Sequence, residues 1–393
     1  MNEAKKELFM DKLTLAKTIM TDFGVRTCLK DRNCTPIRYL WTDAFAVCNY
    51  LNLFLKTGET KYKEDALLLV DQVHYVLGKH REDDMRHGWI SGLDEEEGEK
   101  HPTIGGLRIG KKNNERKENE PFNDKAEWEQ DGQYFHYLTK WMHTLNLVTK
   151  VTGDPKYNLW ACEMAKTVYN KFVYVVFDDM KRMYWKMSID LNYPLVSSMG
   201  QHDALDGYVT YLELIKTAPK DNDIDLDNEL VSLFHMSLVM DLDTNDSLGI
   251  GGLLHSACTL MQLIINDKMI HLSDMLLNLL SSSKRGIDIF LDTNTLRHPA
   301  EYRLGFRELG LSIGLHGVKK MQTLIKEHPE CFTNHAMLQS KLFELASYLP
   351  MRNIIEKFWI DPNNQKSSTW SEHLDINAVM LATSLSPECF LSV

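Results

Sequence analysis

The chain has 393 residues and a formal net charge of −11, with 44% hydrophobic and 25% charged residues. That is the make-up of an ordinary soluble globular protein with enough chain for a large core. Its acidic balance, with Lys and Arg scattered, argues against nucleic acid or an anionic membrane surface as the main partner and favours a neutral or weakly charged small molecule.

Seven cysteines, at 28, 34, 48, 162, 258, 331 and 389, show no CxxC spacing. Reduced, partly buried thiols are therefore expected rather than a disulfide framework. The start of the chain leads into an amphipathic helix and not an apolar signal core, and no run approaches the roughly 18 apolar residues of a membrane span. The expected compartment is the cytoplasm.

In chain order, residues 3–22 predict a helix with an apolar stripe through Leu8, Leu13, Leu15, Ala16 and Ile19. The next, 40–56, is apolar on nearly every side (Ala44, Phe45, Val47, Tyr50, Leu51, Phe54), as a helix buried all round should be. After the turn at Thr57-Gly58-Glu59, helix 60–79 has one stripe, Tyr62, Ala66, Leu69, Val73 and Val76, opposite Lys61, Lys63, Glu64 and Asp65. The pattern of a buried helix followed by a surface helix then recurs. Thr57-Gly58-Glu59-Thr60-Lys61-Tyr62 is echoed by Thr152-Gly153-Asp154-Pro155-Lys156-Tyr157, between a buried helix at 131–151 and an amphipathic one at 155–173. A repeated helical hairpin is the main organisational signal.

Further pairs are 202–217 with 226–241, 249–266 with 269–283, and 302–326 with 334–348, before a last buried helix at 370–384. Counting the opening helix as partner of the last gives twelve helices in six hairpins. Strand signals are confined to 172–177 and 183–189, read as one hairpin turning at Asp178-Asp179-Met180-Lys181. The whole chain, 1–393, reads as a single domain. Residues 81–128 form an unusually long connection, the kind that serves as a lid or insertion.

The helix count, the alternation and the hairpin echo resemble the (α/α)6 barrels of the six-hairpin glycosidase-like superfamily. The stretch Tyr39-Leu40-Trp41-Thr42-Asp43-Ala44-Phe45 looks like the unsaturated glucuronyl and rhamnogalacturonyl hydrolases, and the N-acylglucosamine 2-epimerase group shares the architecture. The resemblance implies an all-α (α/α)6 barrel that handles sugars without a cofactor.

In such a barrel the inner helices all run the same way, so their starts line one mouth. The clearest start is Gln201-His202-Asp203-Ala204-Leu205-Asp206-Gly207-Tyr208. Asp203 and Asp206, three apart, share a helical face with Cβ atoms about 5–6 Å apart. Acids there also cap a helix and complement its dipole. At the other starts stand Trp41 and Asp43; Trp128, Glu129 and Asp131; His255; Arg303, Arg307 and Glu308; and Trp370, Glu372, His373 and Asp375. Indoles stack on the apolar face of a pyranose and carboxylates accept its hydroxyl protons, so a small saccharide is the expected ligand, with Trp89 and Trp185 as further indoles.

Glycoside hydrolysis needs one protonated and one ionised carboxyl group facing each other across the sugar. Crowding acids into a closed pocket raises the pKa of at least one. Asp43, Asp131 and Asp203 are the first candidates, with Asp206 and Glu372 in reserve. A sugar epimerase would instead use a base near neutrality, for which His202, His255 or His373 would serve. Arg303 and Arg307, four apart on one helical face, would clamp a substrate carboxylate or phosphate, or else pair with Glu301 or Glu308. A third reading is a non-catalytic toroid that binds a glycan or a protein through the long 81–128 loop; under each reading a monomer or homodimer is expected.

Three motif fragments are incomplete. Gly105-Gly106-Leu107-Arg108-Ile109-Gly110-Lys111-Lys112 puts Lys112 where a phosphate loop needs Ser or Thr, although Arg108 and Lys111 would still reach a mouth from a lid. The run from Asp241 lacks the Gly and the final acid of a calcium loop. No HExxH or clustered Cys/His set supports zinc.

Overall fold

The computed structural model describes residues 3–177, 180–219 and 224–393, with side chains from residue 12 onward. The Asp178-Asp179 turn and the Leu8 side chain lie outside the described residues. The helices are α1 (Glu3–Arg26), α2 (Leu40–Thr57), α3 (Thr60–Leu77), α4 (Glu95–Lys100), α5 (Asp124–Glu127), α6 (Phe135–Thr152), α7 (Lys156–Phe172), α8 (Asp203–Thr217) and α9 (Asp227–Leu238). They continue with α10 (Ser247–Asp267), α11 (Ser273–Asp292), α12 (Gly305–Glu327), α13 (His335–Ala346), α14 (Pro350–Ile360), α15 (Ser368–Ser371) and α16 (Leu374–Leu385).

Burial sorts the long helices into two kinds. α2 is buried without a break from Leu40 to Leu53, α6 from Leu138 to Val148, α10 from Leu253 to Ile264 and α16 from Asn377 to Leu385. α8 and α12 are buried almost as fully. Between them, α3 buries only Tyr62, Asp65, Ala66, Leu69, Val70, Val73, His74 and Leu77, one face at helical spacing. α7, α9 and α11 follow the same rule. The expected alternation therefore holds, and both echoed turns end in a left-handed glycine, Gly58 (φ 71°) and Gly153 (φ 78°), the usual helix stop.

Several elements differ from expectation. α1 buries Leu13, Ala16, Met20 and Phe23, leaving Leu15 and Ile19 half-buried. α6 begins at Phe135 and not near 131, because extended Gln133-Tyr134 forms strand β1 first. α14 is an additional helix, opened by Pro350 and packed by Met351, Ile355 and Trp359. The expected hairpin closes earlier, as β2 (Val173–Val175) with β3 (Lys181–Met183). β4 (Lys186–Met187) pairs instead with β1 and with β5 (Pro194–Val196).

The chain divides into two compact units, Gly24–Val47 with Glu59–Met240, and Met1–Phe23 with Cys48–Gly58 and Asp241–Val393. In the first, α6 packs on α7 and α8, and α8 on α9. The 81–128 segment is a strap pinned by ion pairs. Arg86 meets Asp84, Glu115 and Asp190 at 2.8, 2.6 and 2.9 Å, and the fully buried Lys186 meets Glu127 at 2.8 Å. Cys28 and Cys34 are joined in the loop after α1, their Cα atoms 5.7 Å apart. This departs from the expectation of reduced thiols; Cys48, Cys162, Cys258, Cys331 and Cys389 remain thiols, as expected.

In the second unit, α10 and α12 approach so closely at Gly251, Gly310 and Gly314 that a Cβ at Gly251 would collide with the Gly310 carbonyl. α10 is long and apolar enough to cross a membrane by length and composition, contrary to the expectation that no such run exists; 78% of that stretch is buried within the protein. The buried Glu356 ties four helices together by accepting from Lys12, His316 and Ser384.

Candidate functional site

The first unit gathers an aromatic patch at the start of α6. Pairing of β1 with β4 sets Tyr134 opposite Lys186 and brings the preceding Trp185 within 5.4 Å of the Tyr134 ring. Trp185 lies nearly parallel to His136, with centroids 6.3 Å apart and 14° between planes. Tyr137 packs on His136 (5.0 Å), Trp41 (5.1 Å), Tyr134 (5.2 Å) and Tyr39 (5.8 Å). Its hydroxyl is 2.8 Å from that of Tyr39. Trp128 meets Trp185 edge-on at 5.5 Å and is 49% exposed, so the patch opens to solvent there. Trp41 is buried and its Nε1 has no hydrogen-bond partner. Lys111 Nζ lies 5.4 Å from the centre of the Tyr39 ring.

Against this patch stands the first turn of α8. Asp203 is 4% exposed, its Oδ1 lies 3.7 Å from His136 Nδ1, and its Oδ2 has no hydrogen-bond partner. Gly200 makes room for it, since a Cβ there would strike the Asp203 carboxyl group. Burial, and then the neighbouring Asp206 charge, pushes the Asp203 pKa up to about 8. Burial pushes His136 down to about 4. Asp206 lies 3.6 Å from Lys140 Nζ. The two carboxyl groups of one helix face thus occupy different surroundings, one beside an unprotonated imidazole and the other beside an ammonium.

The other acids expected at this mouth are committed elsewhere. Asp43 accepts from Arg38 at 3.2 Å and from the Tyr39 N–H at 2.8 Å, which holds the entry to α2. Asp131 is fully buried and accepts from Arg108 (2.9 Å), Arg81 (3.3 Å) and the N–H groups of Gly110 and Gly132 (2.9 and 3.1 Å). Both oxygens of each are taken up by structural donors. Trp89 is buried over Gly98, with Lys79 Nζ 4.8 Å from its ring, and braces the strap. His202 precedes α8, half-buried and without a side-chain cap. Arg108 turns inward to Asp131, and the Gly105–Lys112 loop does not lead directly into a helix, the next being α5 at Asp124–Glu127.

The remaining candidates belong to the second unit. Arg303 lies before α12, which begins at Gly305, so the expected helical face shared with Arg307 does not exist. Arg303 is 1% exposed and forked onto Glu308 at 2.8 and 2.6 Å. Arg307 pairs with Asp246 at 2.7 Å, and Asp246 caps α10 through the Gly249 N–H. They border a cavity of about 220 Å³ with Tyr302 and Thr295. His255 stacks on Phe390 at 4.5 Å, and Trp370 on Trp359 at 5.3 Å, both as core. Glu372 and His373 are exposed ahead of α16, His373 edge-on to Phe306.

Sequence reading misses Tyr39, Tyr134, His136, Tyr137 and Lys140. The misplaced start of α6 explains most of it. With Phe135 as first helical residue, His136, Tyr137 and Lys140 fall in the first two turns, the same position that Asp203 and Asp206 hold in α8. Among the described residues no group of three or more His, Cys, Asp or Glu is placed to hold a metal ion.

No protein-family model and no curated protein matches the chain. Solved structures do. The glycoside hydrolase family 76 α-mannanase of Bacteroides thetaiotaomicron is similar over 97% of this chain and 97% of its own, at 9% identity and a TM-score of 0.55. An inactive variant of an α-1,6-mannanase from a Salegentibacter species, in complex with α-1,6-mannotetrose, is similar over 97% and 99%, at 11% identity and a TM-score of 0.52. A cellobiose 2-epimerase from Spirochaeta thermophila covers 90% and 87% at 11% identity, with a TM-score of 0.49. The likeness to the two mannanases shows the fold, an (α/α)6 barrel.

Proposed function

We propose that this protein is a carbohydrate-active enzyme that hydrolyses a glycosidic bond, with Asp203 as general acid and Asp206 as its partner carboxylate. The observation that carries this is Asp203, a buried carboxyl group with an unpartnered oxygen whose pKa lies near 8. It holds its proton at neutral pH beside a ring-lined surface. Fold-level likeness to α-mannanases supports a saccharide substrate by analogy. A pyranose would lie on the Trp128, Trp185 and Tyr137 rings. Asp203 would pass its proton to the leaving oxygen as the C–O bond breaks, and Asp206 would meet the anomeric carbon or the attacking water. A purely binding toroid would have no use for an unpaired buried acid, which is costly to keep.

The test is release of reducing ends from α-linked manno-oligosaccharides, α-1,6-linked first, by wild type and Asp203→Asn. Loss of turnover with retained binding in the variant supports the reading; unchanged turnover overturns it. One observation favours a second reading, a sugar 2-epimerase. The unprotonated His136 has no hydrogen-bond partner at Nδ1, so this weak base presents a lone pair to a sugar on the ring patch. Exchange of the C2 hydrogen of a reducing sugar in D₂O would distinguish epimerisation from hydrolysis.

A further inference from the structure

Among the described residues of the strap, Lys111 is the half-buried cation without an ion pair; Lys112, Lys117 and Lys125, which have none either, are exposed to solvent. The carboxylates close enough to act on it are Asp131 and Glu129. Asp131 is saturated by Arg108, Arg81 and two backbone N–H groups, and Glu129 is exposed to solvent. Lys186, the neighbouring ammonium, is satisfied by Glu127 and adds repulsion. Among the described residues Lys111 forms no ion pair, and its Nζ rests over the face of Tyr39. A cation kept half-buried without an anion costs free energy. Here that cation stands at one end of the ring patch, joined to Asp203 through Tyr39, Tyr137 and His136.

We infer that the saccharide taken by this site carries an anionic group, a carboxylate or a phosphate, received by Lys111 at the Tyr39 end of the patch. This rests on the carbohydrate reading above and narrows its substrate class. Because Lys111 is separated from Asp203 by two ring-to-ring contacts, the anionic group belongs to a sugar beside the scissile one and not to the scissile sugar itself. The net charge of −11 does not oppose this. Exposed charges farther than about 8–10 Å are screened at physiological salt, so an unpaired ammonium in contact decides the local field. The clamp expected of Arg303 and Arg307 is not available for this role, since Glu308 and Asp246 already occupy them.

Calorimetric titration of the Asp203→Asn protein, in which turnover is blocked, tests the inference with three probes. They are a neutral α-manno-oligosaccharide, a glucuronate-containing oligosaccharide and a 6-phosphomannosyl oligosaccharide. One acidic probe is expected to bind at least tenfold tighter than the neutral one, with a preference that weakens as salt is raised. Adding Lys111→Gln should abolish that preference and Lys111→Arg should keep most of it, with thermal melting confirming that both variants fold. The two acidic arms separate carboxylate from phosphate. Equal binding of neutral and acidic probes, or a preference untouched by Lys111→Gln, overturns the inference. If an acidic probe binds as expected but wild type releases no reducing ends from it, the substrate class stands and hydrolysis falls. If no saccharide binds, both fall.

Discussion

Asp203 Oδ1 and His136 Nδ1 lie 3.7 Å apart, and neither is charged between about pH 4 and about pH 8. A carboxylic acid and an imidazole at this distance would ordinarily form an ion pair. Here burial from α6 and α8 outweighs their mutual attraction, because desolvating two charges costs more than one imperfect contact returns. If Asp203 is the general acid, kcat/KM falls on the alkaline side with a midpoint near 8. Measurement of the pH–rate profile checks this; a flat profile through pH 9 would remove Asp203 from the acid role.

The same pair governs stability. Asp203 has a folded pKa near 8 against 3.8 for the free group, so the folded state holds the extra proton and stability falls as pH rises through that window. His136 has a folded pKa near 4 against 6.5, so the unfolded state holds the extra proton and stability rises with pH between those values. From about 4 to 6.5 the two slopes oppose and largely cancel; from 6.5 to 8 only Asp203 acts. The expected loss across that upper window is about 2 kcal/mol. Comparing denaturant unfolding at pH 6.5 and 8 in wild type and Asp203→Asn checks it, since the variant should lack that loss.

Trp128 is expected to bind substrate and do little for the fold, since it is half exposed and touches Trp185 only edge-on. Trp128→Ala should raise KM by roughly tenfold, the worth of one good stacking contact of about 1–1.5 kcal/mol, with kcat little changed and the melting temperature nearly constant. A fall in kcat with unchanged KM would place the indole elsewhere in the mechanism.

Asp131 is expected to act on the fold. Asp131→Ala leaves Arg108 buried without its carboxylate, which should cost ~3–5 kcal/mol in unfolding free energy. Any activity lost should return when folding is restored at lower temperature or by stabilising osmolyte. Full stability with abolished turnover would instead restore Asp131 to the catalytic candidates.

If Asp206 acts as nucleophile, the product keeps its anomeric configuration. Acids three apart on a helix have Cβ atoms about 5–6 Å apart, too close for the intervening water of an inverting enzyme and near the roughly 5–5.5 Å of a retaining one. Proton NMR of the first-formed anomer decides between them.

Much of the fold was legible in the chain because helix burial is written in periodicity. α2 is apolar on all sides, α3 on one, and the Gly58 and Gly153 turns repeat the same stop. The carboxylate pair on α8 was legible for the same reason, since residues three apart share a helical face wherever the helix goes. α14 and the start of α6 were not, because short strands and proline-opened helices carry weak local signals that long-range pairing overrides.

Sequence alone determined the alternation of fully buried and one-faced helices, and the placing of Asp203 and Asp206 together at a helix start, because both depend only on neighbours within a few residues. Tertiary structure decided which acids have a guanidinium beside them. Asp43, Asp131 and Asp203 look alike along the chain. Arg38 neutralises the first and Arg81 and Arg108 the second, whereas the ring beside Asp203, that of His136, is uncharged. A carboxyl group's charge state is set by what lies within a few ångströms of it, and those neighbours arrive from residues as far as 67 positions away along the chain.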